Sequence, residues 1–259
     1  MSSLQELQRN WEGFARTDPL WSICADPAKR NQLWNREEFF ASGEKELATV
    51  LNHATKLGLE IQQNAPALDF GCGVGRLTRA LAGRFSECWG LDISSTMIRL
   101  AQEFNHDIPN CHFVVNESER LEKLESYYFG FIYSSIVLQH IANEYAHKYI
   151  AELIRTLRPQ GIFIFQVPEK FQGGWVKQLR AKLALRSRIG SLLGNKPFLM
   201  EMHCIKEQKI LDLVQQHGAK VVDVQLTNSC DPAFSGNLQY LEQAPAGDYV
   251  SKQYCVIKK

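Results

Sequence analysis

The sequence has no long apolar run, no paired metal-binding cysteines and almost no net charge. No stretch approaches the roughly 20 apolar residues of a membrane helix, and the polar N-terminus lacks the apolar core of a secretory signal. Its seven cysteines show no Cys-x-x-Cys or Cys/His spacing, so we expect reduced thiols and no metal site. A net charge of +1 argues against nucleic-acid or membrane binding by bulk electrostatics. These absences predict a cytoplasmic protein without a membrane span.

Three alternating glycines form the most informative stretch. Ala67–Phe70 is a short apolar run containing Asp69, and Gly71, Gly73 and Gly75 follow it directly. An amphipathic segment comes next, and then a second apolar run that ends in Asp92. Glycine is needed where the backbone takes a positive φ or closely approaches a ligand. The pattern predicts strand, tight turn, helix and strand.

The spacing of these glycines argues against a dinucleotide site. A Gly-x-Gly-x-x-Gly fingerprint would require its third glycine at Arg76 or at Thr78. Asp69 lies inside the turn, where its carboxylate would repel a phosphate. A cationic nucleoside without phosphate suits this turn better. The alternative is a glycine-rich turn that binds no ligand.

The pattern Asp-x-Gly-x-Gly-x-Gly, followed by Asp92, resembles motif I and the acidic loop of the class I S-adenosylmethionine-dependent methyltransferases. The resemblance implies an α/β fold, with a doubly wound, seven-stranded, mostly parallel Rossmann-like sheet, and S-adenosylmethionine as cofactor. Asp69 would then bind the donor's amino group, Arg76 its carboxylate and Asp92 the ribose hydroxyls. The cofactor contacts expected in the core domain are Asp69, Gly71, Cys72, Gly73, Gly75, Arg76, Asp92, Ile93, Met97, Glu117, Ser118 and Ser134.

The rest of the chain alternates strands and helices, which favours a doubly wound parallel sheet. Predicted strands are 67–70, 87–92, 111–115, 129–134, 162–167 and 221–226, with 249–257 antiparallel at the sheet edge. Predicted helices are 75–84, 95–104, 144–157 and 205–217. Ligands bind at the carboxyl ends of such strands. By the resemblance, Glu117 and Ser118 would contact adenine there, and Ser134 would face the methyl group.

Residues 1–43 are predicted to be a helical arm preceding the methyltransferase domain, 44–259. The arm is rich in aromatic residues and is broken by two Asp-Pro pairs. As a lid over the cofactor, it would place Trp34 and Phe40 beside the ligand. The alternative is that its aromatic side chains only anchor it to the domain surface.

Residues 168–204 are an insertion that the family core does not need. Lys170 to Lys196 contains seven basic residues and no acidic residue. One interpretation is a substrate cap for an anionic or carrier-tethered acceptor. A solvated basic helix is the alternative, and a helix lying on anionic lipid is a third interpretation.

The expected reaction is in-line methyl transfer to a small-molecule acceptor, on oxygen. An acceptor of high pKa needs a base, for which His140 and His203 are the catalytic candidates. The segment after strand four begins Ser134-Ser-Ile-Val, not Asn/Asp-Pro-Pro-Tyr/Phe, which argues against nucleic-acid methylation. Protein or peptide methylation and a non-catalytic cofactor-binding partner stay open, as does the oligomeric state.

Overall fold

A computed structural model describes residues 3–174, 198–245 and 247–259. Within these ranges the chain forms one sheet of eight strands, in the order β3-β2-β1-β4-β5-β8-β6-β7. The strands are β1 Ala67–Phe70, β2 Cys88–Asp92, β3 Cys111–Val115, β4 Phe129–Ser134, β5 Leu157–Phe171, β6 Ala219–Thr227, β7 Tyr240–Leu241 and β8 Tyr249–Lys258. Strands β1 to β5 run parallel to one another.

Helices cover both faces of the sheet. The α-helices are α1 Leu4–Thr17, α2 Pro19–Ile23, α3 Arg36–Lys56, α4 Arg76–Ala82, α5 Ser95–Phe104, α6 Asn143–Thr156 and α7 Glu207–Gln216. Helices α3 and α4 pack on one face and α6 and α7 on the other, each through buried apolar side chains. Strands β1 and β4 are buried along their whole length, as expected for parallel strands between two helical layers. The predicted doubly wound α/β fold is confirmed.

The last strand occupies a different position in the sheet from the one predicted. Strand β8 is antiparallel, as expected, but it pairs with β5 on one side and β6 on the other. The prediction of an edge position was therefore wrong. The edge belongs to β7, a two-residue strand that pairs with β6 and raises the strand count from seven to eight.

Strand β5 is longer than its apolar core. It was predicted over 162–167, whereas pairing with β8 continues it to Phe171. The first four residues of the predicted insertion 168–204 are thus part of the sheet. Residues 175–197, which carry most of the basic residues, lie outside the described ranges. Only the basic residue Lys170 of that run falls within them, in β5.

A buried ion pair fixes helix α3 to the start of α4. Arg76 Nη2 lies 2.7 Å from Glu46 Oε2, and their side chains are 2% and 0% exposed. Ser42 accepts a second bond from this guanidinium at 3.3 Å. Tyr133 Oη donates to the other Glu46 oxygen at 2.8 Å, so the carboxylate also joins the helix to β4. Helix α3 is continuous across the predicted domain boundary at 43/44.

Candidate cofactor and active site

A cavity of about 710 Å³, including its open mouth, lies at the carboxyl ends of β1, β2 and β4. Sequence order in the sheet reverses between β1 and β4, which is where ligands bind in open α/β sheets. Five residues predicted to contact the cofactor line the cavity: Gly71, Gly73, Asp92, Ile93 and Met97.

The glycine turn has a backbone that only glycine adopts readily. Gly71, Gly73 and Gly75 have φ of 77°, 53° and 85°. A Cβ on Gly71 would lie 2.3 Å from the side chain of Val137, and one on Gly73 would lie 2.5 Å from Ile23. Both conformation and space therefore require glycine at these two positions.

Asp92 joins the tip of β2 to the glycine turn. Its Oδ2 accepts from the Gly73 amide and its Oδ1 accepts from the Ser94 amide, each at 2.9 Å. Burial raises the pKa of this carboxyl, while the backbone N–H donors act in the opposite direction. A carboxylate with two oxygens fixed by the backbone at the cavity wall is a rigid acceptor for ligand hydroxyls.

Asp69 lies behind the glycine turn and does not line the cavity. Its side chain is 1% exposed, and Thr78 Oγ1 donates to its Oδ2 at 2.7 Å. Burial raises the pKa of Asp69 to about 7, against the bond from Thr78 and the charge of Arg76. A cation arriving close to the turn would favour the ionised form of this carboxyl.

The end of β3 forms another side of the cavity, through a residue that the sequence analysis missed. Asn116 lines the cavity, and its Nδ2 donates to Ser118 O at 2.7 Å. Tyr149 also lines it and donates to the same carbonyl at 2.8 Å. Glu117 and Ser118 are exposed and are not lining residues, and Gln8 donates to Glu117 at 2.5 Å. The residue of this turn that faces the cavity is therefore the one preceding the predicted pair.

Helices α1 and α2 form a wall of the cavity. Leu7 and Trp11 of α1 and Ile23 of α2 all line it. Leu7 and Trp11 are four residues apart on an amphipathic helix, and that spacing is a signal by which they could have been found. The N-terminal arm thus meets the cavity, but not through the aromatic residues that were predicted.

Trp34 and Phe40 belong to a neighbouring aromatic cluster. Trp34 is 7% exposed, its Nε1 donates to Cys24 O at 3.0 Å, and its ring packs edge-on against Phe39. Phe40 packs against Phe39 and Phe104. Neither is among the lining residues of the cavity.

Glu12 fastens α1 to the start of α5. One carboxylate oxygen accepts from Ser94 Oγ at 2.9 Å and from the Thr96 amide at 3.0 Å, and the other accepts from Thr96 Oγ1 at 2.6 Å. Ser95 Oγ donates at 3.1 Å. Burial acts to raise the pKa of Glu12, but these bonds outweigh it and lower the pKa. A carboxylate at a helix N-terminus is also favoured by the helix dipole.

Other predicted contacts are engaged by the protein itself. The Arg76 guanidinium is directed to Glu46 and Ser42 in the core, not to the cavity. Ser134 Oγ donates to Phe70 O at 3.1 Å and its residue is fully buried. Cys72 is buried next to the turn, and burial raises the pKa of its thiol.

The two histidines predicted as bases lie beside the cavity but do not line it. His140 is 4% exposed, and its Nδ1 lies 2.6 Å from Glu201 O. Because a carbonyl only accepts, Nδ1 carries the proton, and Nε2 faces the Gln139 amide nitrogen at 3.2 Å. Burial lowers the pKa of His140 to about 4, so the ring is neutral at pH 7. His203 Nε2 lies 3.0 Å from Glu201 Oε2.

The described residues contain neither a cluster of metal ligands nor a membrane-spanning helix. No group of three or more His, Cys, Asp or Glu side chains that could hold a metal ion occurs within residues 3–174, 198–245 and 247–259. Over the same part of the chain, no helix combines the length and apolar character required to cross a membrane.

Comparison with known proteins matches the chain to methyltransferases. A family profile described as "Methyltransferase domain" matches residues 68–165. Trans-aconitate 2-methyltransferase of Deinococcus radiodurans is 28% identical over 142 residues, covering 52% of this chain and 53% of that protein. Phosphoethanolamine N-methyltransferase 1 of Caenorhabditis elegans is 27% identical over 104 residues, covering 40% of this chain and 22% of that protein. The matches thus span about half of the first relative and less of the second.

The fold also matches a solved structure along its whole length. Magnesium protoporphyrin IX methyltransferase from Synechocystis PCC 6803, with bound S-adenosylmethionine, superimposes with a TM-score of 0.62 at 15% identity. The match covers 100% of this chain and 98% of that chain. At this identity the similarity establishes the fold.

Proposed function

Because the chain carries a methyltransferase domain of the class I, S-adenosylmethionine-dependent kind, we propose that it transfers a methyl group to a small-molecule acceptor. The observation that carries the proposal is the convergence of the glycine turn and Asp92 on one cavity at the switch point of the sheet. When bound, the cofactor supplies a methyl group already activated by its sulfonium charge. The residues present fit such a nucleoside.

In this proposal, each part of the cofactor has a matching group on the chain. Asp92 accepts from both ribose hydroxyls, and the amides of the glycine turn approach the methionine portion. Ile93 and Met97 provide the apolar surface on which adenine lies, and Asn116 is its polar neighbour. Asp69 acts through the turn as the negative charge nearest the donor's amino group. Arg76 has no part in this assignment, because Glu46 holds it in the core.

The protein's contribution to the reaction is alignment and exclusion of water. The apolar side chains of Trp11, Ile23 and Val137 close the cavity around the reacting groups. An ionised carboxylate acceptor needs no base, whereas a hydroxyl acceptor of high pKa does. For the second kind, His140 and His203 are the candidate bases. Gln139 donates to Nε2 of His140, so His140 must lose that bond before Nε2 can accept a proton.

We propose transfer to oxygen on an anionic small molecule. Of the two curated relatives described above, one is named for a carboxylic acid and the other for a phosphate monoester, so both named acceptors carry an anionic group. The second is named for methylation of nitrogen, so its name supports the charge of the acceptor and not the acceptor atom. The excess of basic residues between Lys170 and Lys196 agrees with an anionic or carrier-tethered acceptor. A site whose histidines do not line the cavity suits a carboxylate better than a hydroxyl.

Calorimetry with S-adenosylmethionine and S-adenosylhomocysteine tests cofactor binding. Asp92→Ala should weaken both affinities about a hundredfold, since hydrogen bonds to a charged group contribute about 1.5–3 kcal/mol each. Asp212→Ala, which removes an exposed carboxylate on α7, is the matched control and should change nothing. Equal affinities for the Asp92 variant and the wild type would show that the ribose is placed wrongly.

Turnover on a panel of acceptors tests the transfer itself. The panel comprises carboxylic acids, phosphate monoesters, phenols and acyl groups on a carrier, and release of S-adenosylhomocysteine is measured. We expect turnover with carboxylates. Tight cofactor binding without turnover on any class would favour the non-catalytic alternative, and turnover on phenols alone would contradict the anionic acceptor.

A further inference from the structure

One turn of the cavity wall has an unfavourable backbone. Ile136, two residues after the end of β4, has φ of 60° and lines the cavity. A β-branched residue rarely adopts this conformation, and it persists only where the surroundings hold it. The side chain of its neighbour Val137 fills the space that a Cβ on Gly71 would need, so the shape of this segment determines the space left beside that glycine.

Gln166 holds this turn from the middle of β5. Its side chain is fully buried, and its Oε1 accepts the backbone N–H of Ile136 at 3.3 Å. Its Nε2 donates to Ser251 Oγ at 2.7 Å and to Gln139 Oε1 at 3.1 Å. The Ile136 amide can only donate, so the orientation of the Gln166 amide is determined.

The chain of bonds continues in one direction beyond Gln166. Gln139 receives from Gln166 and presents its own amide nitrogen to His140 Nε2 at 3.2 Å. His140 in turn donates from Nδ1 to Glu201 O at 2.6 Å. Reversing the Gln139 amide would put its nitrogen opposite the Gln166 nitrogen, which the bond from the Ile136 N–H keeps in place. It would also turn the Gln139 oxygen toward His140 Nε2, which carries no proton. The network therefore resists rearrangement.

A buried glutamine in a parallel strand is costly unless each polar atom is bonded, and an apolar residue would fill the same space at less cost. This inference rests on the proposed function. We propose that Gln166 is a positioning residue for the cofactor. It keeps Ile136 in its left-handed conformation and so holds Val137 against Gly71. It touches no reacting atom. It acts through the wall that the cofactor contacts.

Replacing Gln166 by leucine tests this role. Gln166→Leu removes the acceptor for the Ile136 N–H, and we expect the turn to relax to a negative φ and the dissociation constant of S-adenosylmethionine to rise about tenfold, or 1.4 kcal/mol. Ile136→Gly provides the rescue, because glycine adopts φ near 60° without support. In the Ile136→Gly background, Gln166→Leu should change the dissociation constant less than twofold.

Ser251→Ala is the matched control. It removes another partner of Gln166 in the same network but leaves the bond to Ile136 intact, so cofactor affinity should stay at the wild-type value. Thermal unfolding of all variants, followed by circular dichroism, shows that binding is measured on folded protein. A purely structural role would lower the melting temperature equally with and without Ile136→Gly.

The outcomes separate the two proposals. Wild-type protein that does not bind S-adenosylmethionine overturns the proposed function, and this inference with it. Wild-type binding together with an unaltered affinity in Gln166→Leu overturns the positioning role alone. An equal loss of affinity in both Ile136 backgrounds also overturns it, because the effect would then not pass through the turn.

Discussion

Neutralising Glu46 is expected to destabilise the protein by about 3–5 kcal/mol, the usual cost of removing one partner from a buried ion pair. The pair is fully enclosed, with side chains 2% and 0% exposed and an N–O distance of 2.7 Å. Glu46→Gln keeps an oxygen for the Tyr133 hydroxyl but leaves the Arg76 guanidinium without a counter-charge. The matched control is Glu103→Gln, whose pair with Arg99 is 65% and 61% exposed and contributes only about 0.3–0.5 kcal/mol.

Variants of the Arg76–Glu46 pair also test whether Arg76 stabilises the core or binds the donor carboxylate. The double variant Glu46→Gln with Arg76→Met removes both charges, and replacing a whole buried pair by neutral groups is often nearly neutral in stability. We therefore expect the double variant to recover most of the stability that Glu46→Gln loses. If Arg76 serves only the core, the double variant should also bind S-adenosylmethionine with the affinity of the wild type.

Urea denaturation gives the free energy of unfolding for each variant, and calorimetry gives the dissociation constant. A double variant that regains stability but binds the cofactor tenfold or more weakly would show that Arg76 reaches the donor carboxylate, as the family resemblance implied. Destabilisation by Glu46→Gln no larger than that of the surface control would refute the energetic argument itself.

Three further predictions concern the turn and its surroundings. The pKa of Asp69 is about 7 in the folded state against its ordinary 3.8, so the folded state holds this proton more tightly and stability should fall as pH rises from about 4 to about 7. Asp69→Asn should flatten this decline, as measured by urea denaturation at pH 5 and pH 8. Glu12→Gln replaces the charged acceptor of the bonds from Ser94 and Thr96, so it should loosen α1 and weaken cofactor binding about tenfold. Faster amide hydrogen exchange over residues 4–17 is the second measurement. Gly73→Ala should abolish tight binding of S-adenosylmethionine, because the added Cβ would lie 2.5 Å from Ile23. Gly58→Ala is the control: Gly58 has a similar positive φ but no atom within 4 Å of the added Cβ, so this variant should only be less stable. Equal affinity for the cofactor in both alanine variants would contradict the role of crowding at the turn.

The local patterns in the sequence determined most of the core fold. Helix α5 was predicted at its observed bounds because Ser94 caps it and its apolar spacing is regular. Strand β8 was located within one residue and in the right orientation, but not in its place within the sheet. Which strand lies beside which depends on packing between distant segments, and alternation along one strand does not encode that.

The site residues divide in the same way, into those that a local pattern identifies and those that only contacts between distant segments identify. The glycine turn was readable because its three glycines alternate directly after an apolar run, and Asp92 was readable because it ends the next apolar run. The partner of Arg76 was not, since Glu46 lies 30 positions earlier and is identified only by contact. Trp34 and Trp11 are equally aromatic in the sequence, and the packing of α1 over the strand ends is what brings Trp11 to the cavity.

Helices α1 and α2 lie outside the segment that matches the methyltransferase profile, yet they supply side chains to the same cavity. The pocket is therefore a composite, made by the segment that matches the profile and by a wall that precedes it in the chain. Within the wall, Leu7 and Trp11 shape the chamber, whereas Ile23 also fills the space that a Cβ on Gly73 would need. Under the proposed function, exchanging this wall between two proteins that share the core is a direct way to change which acceptor the chamber admits.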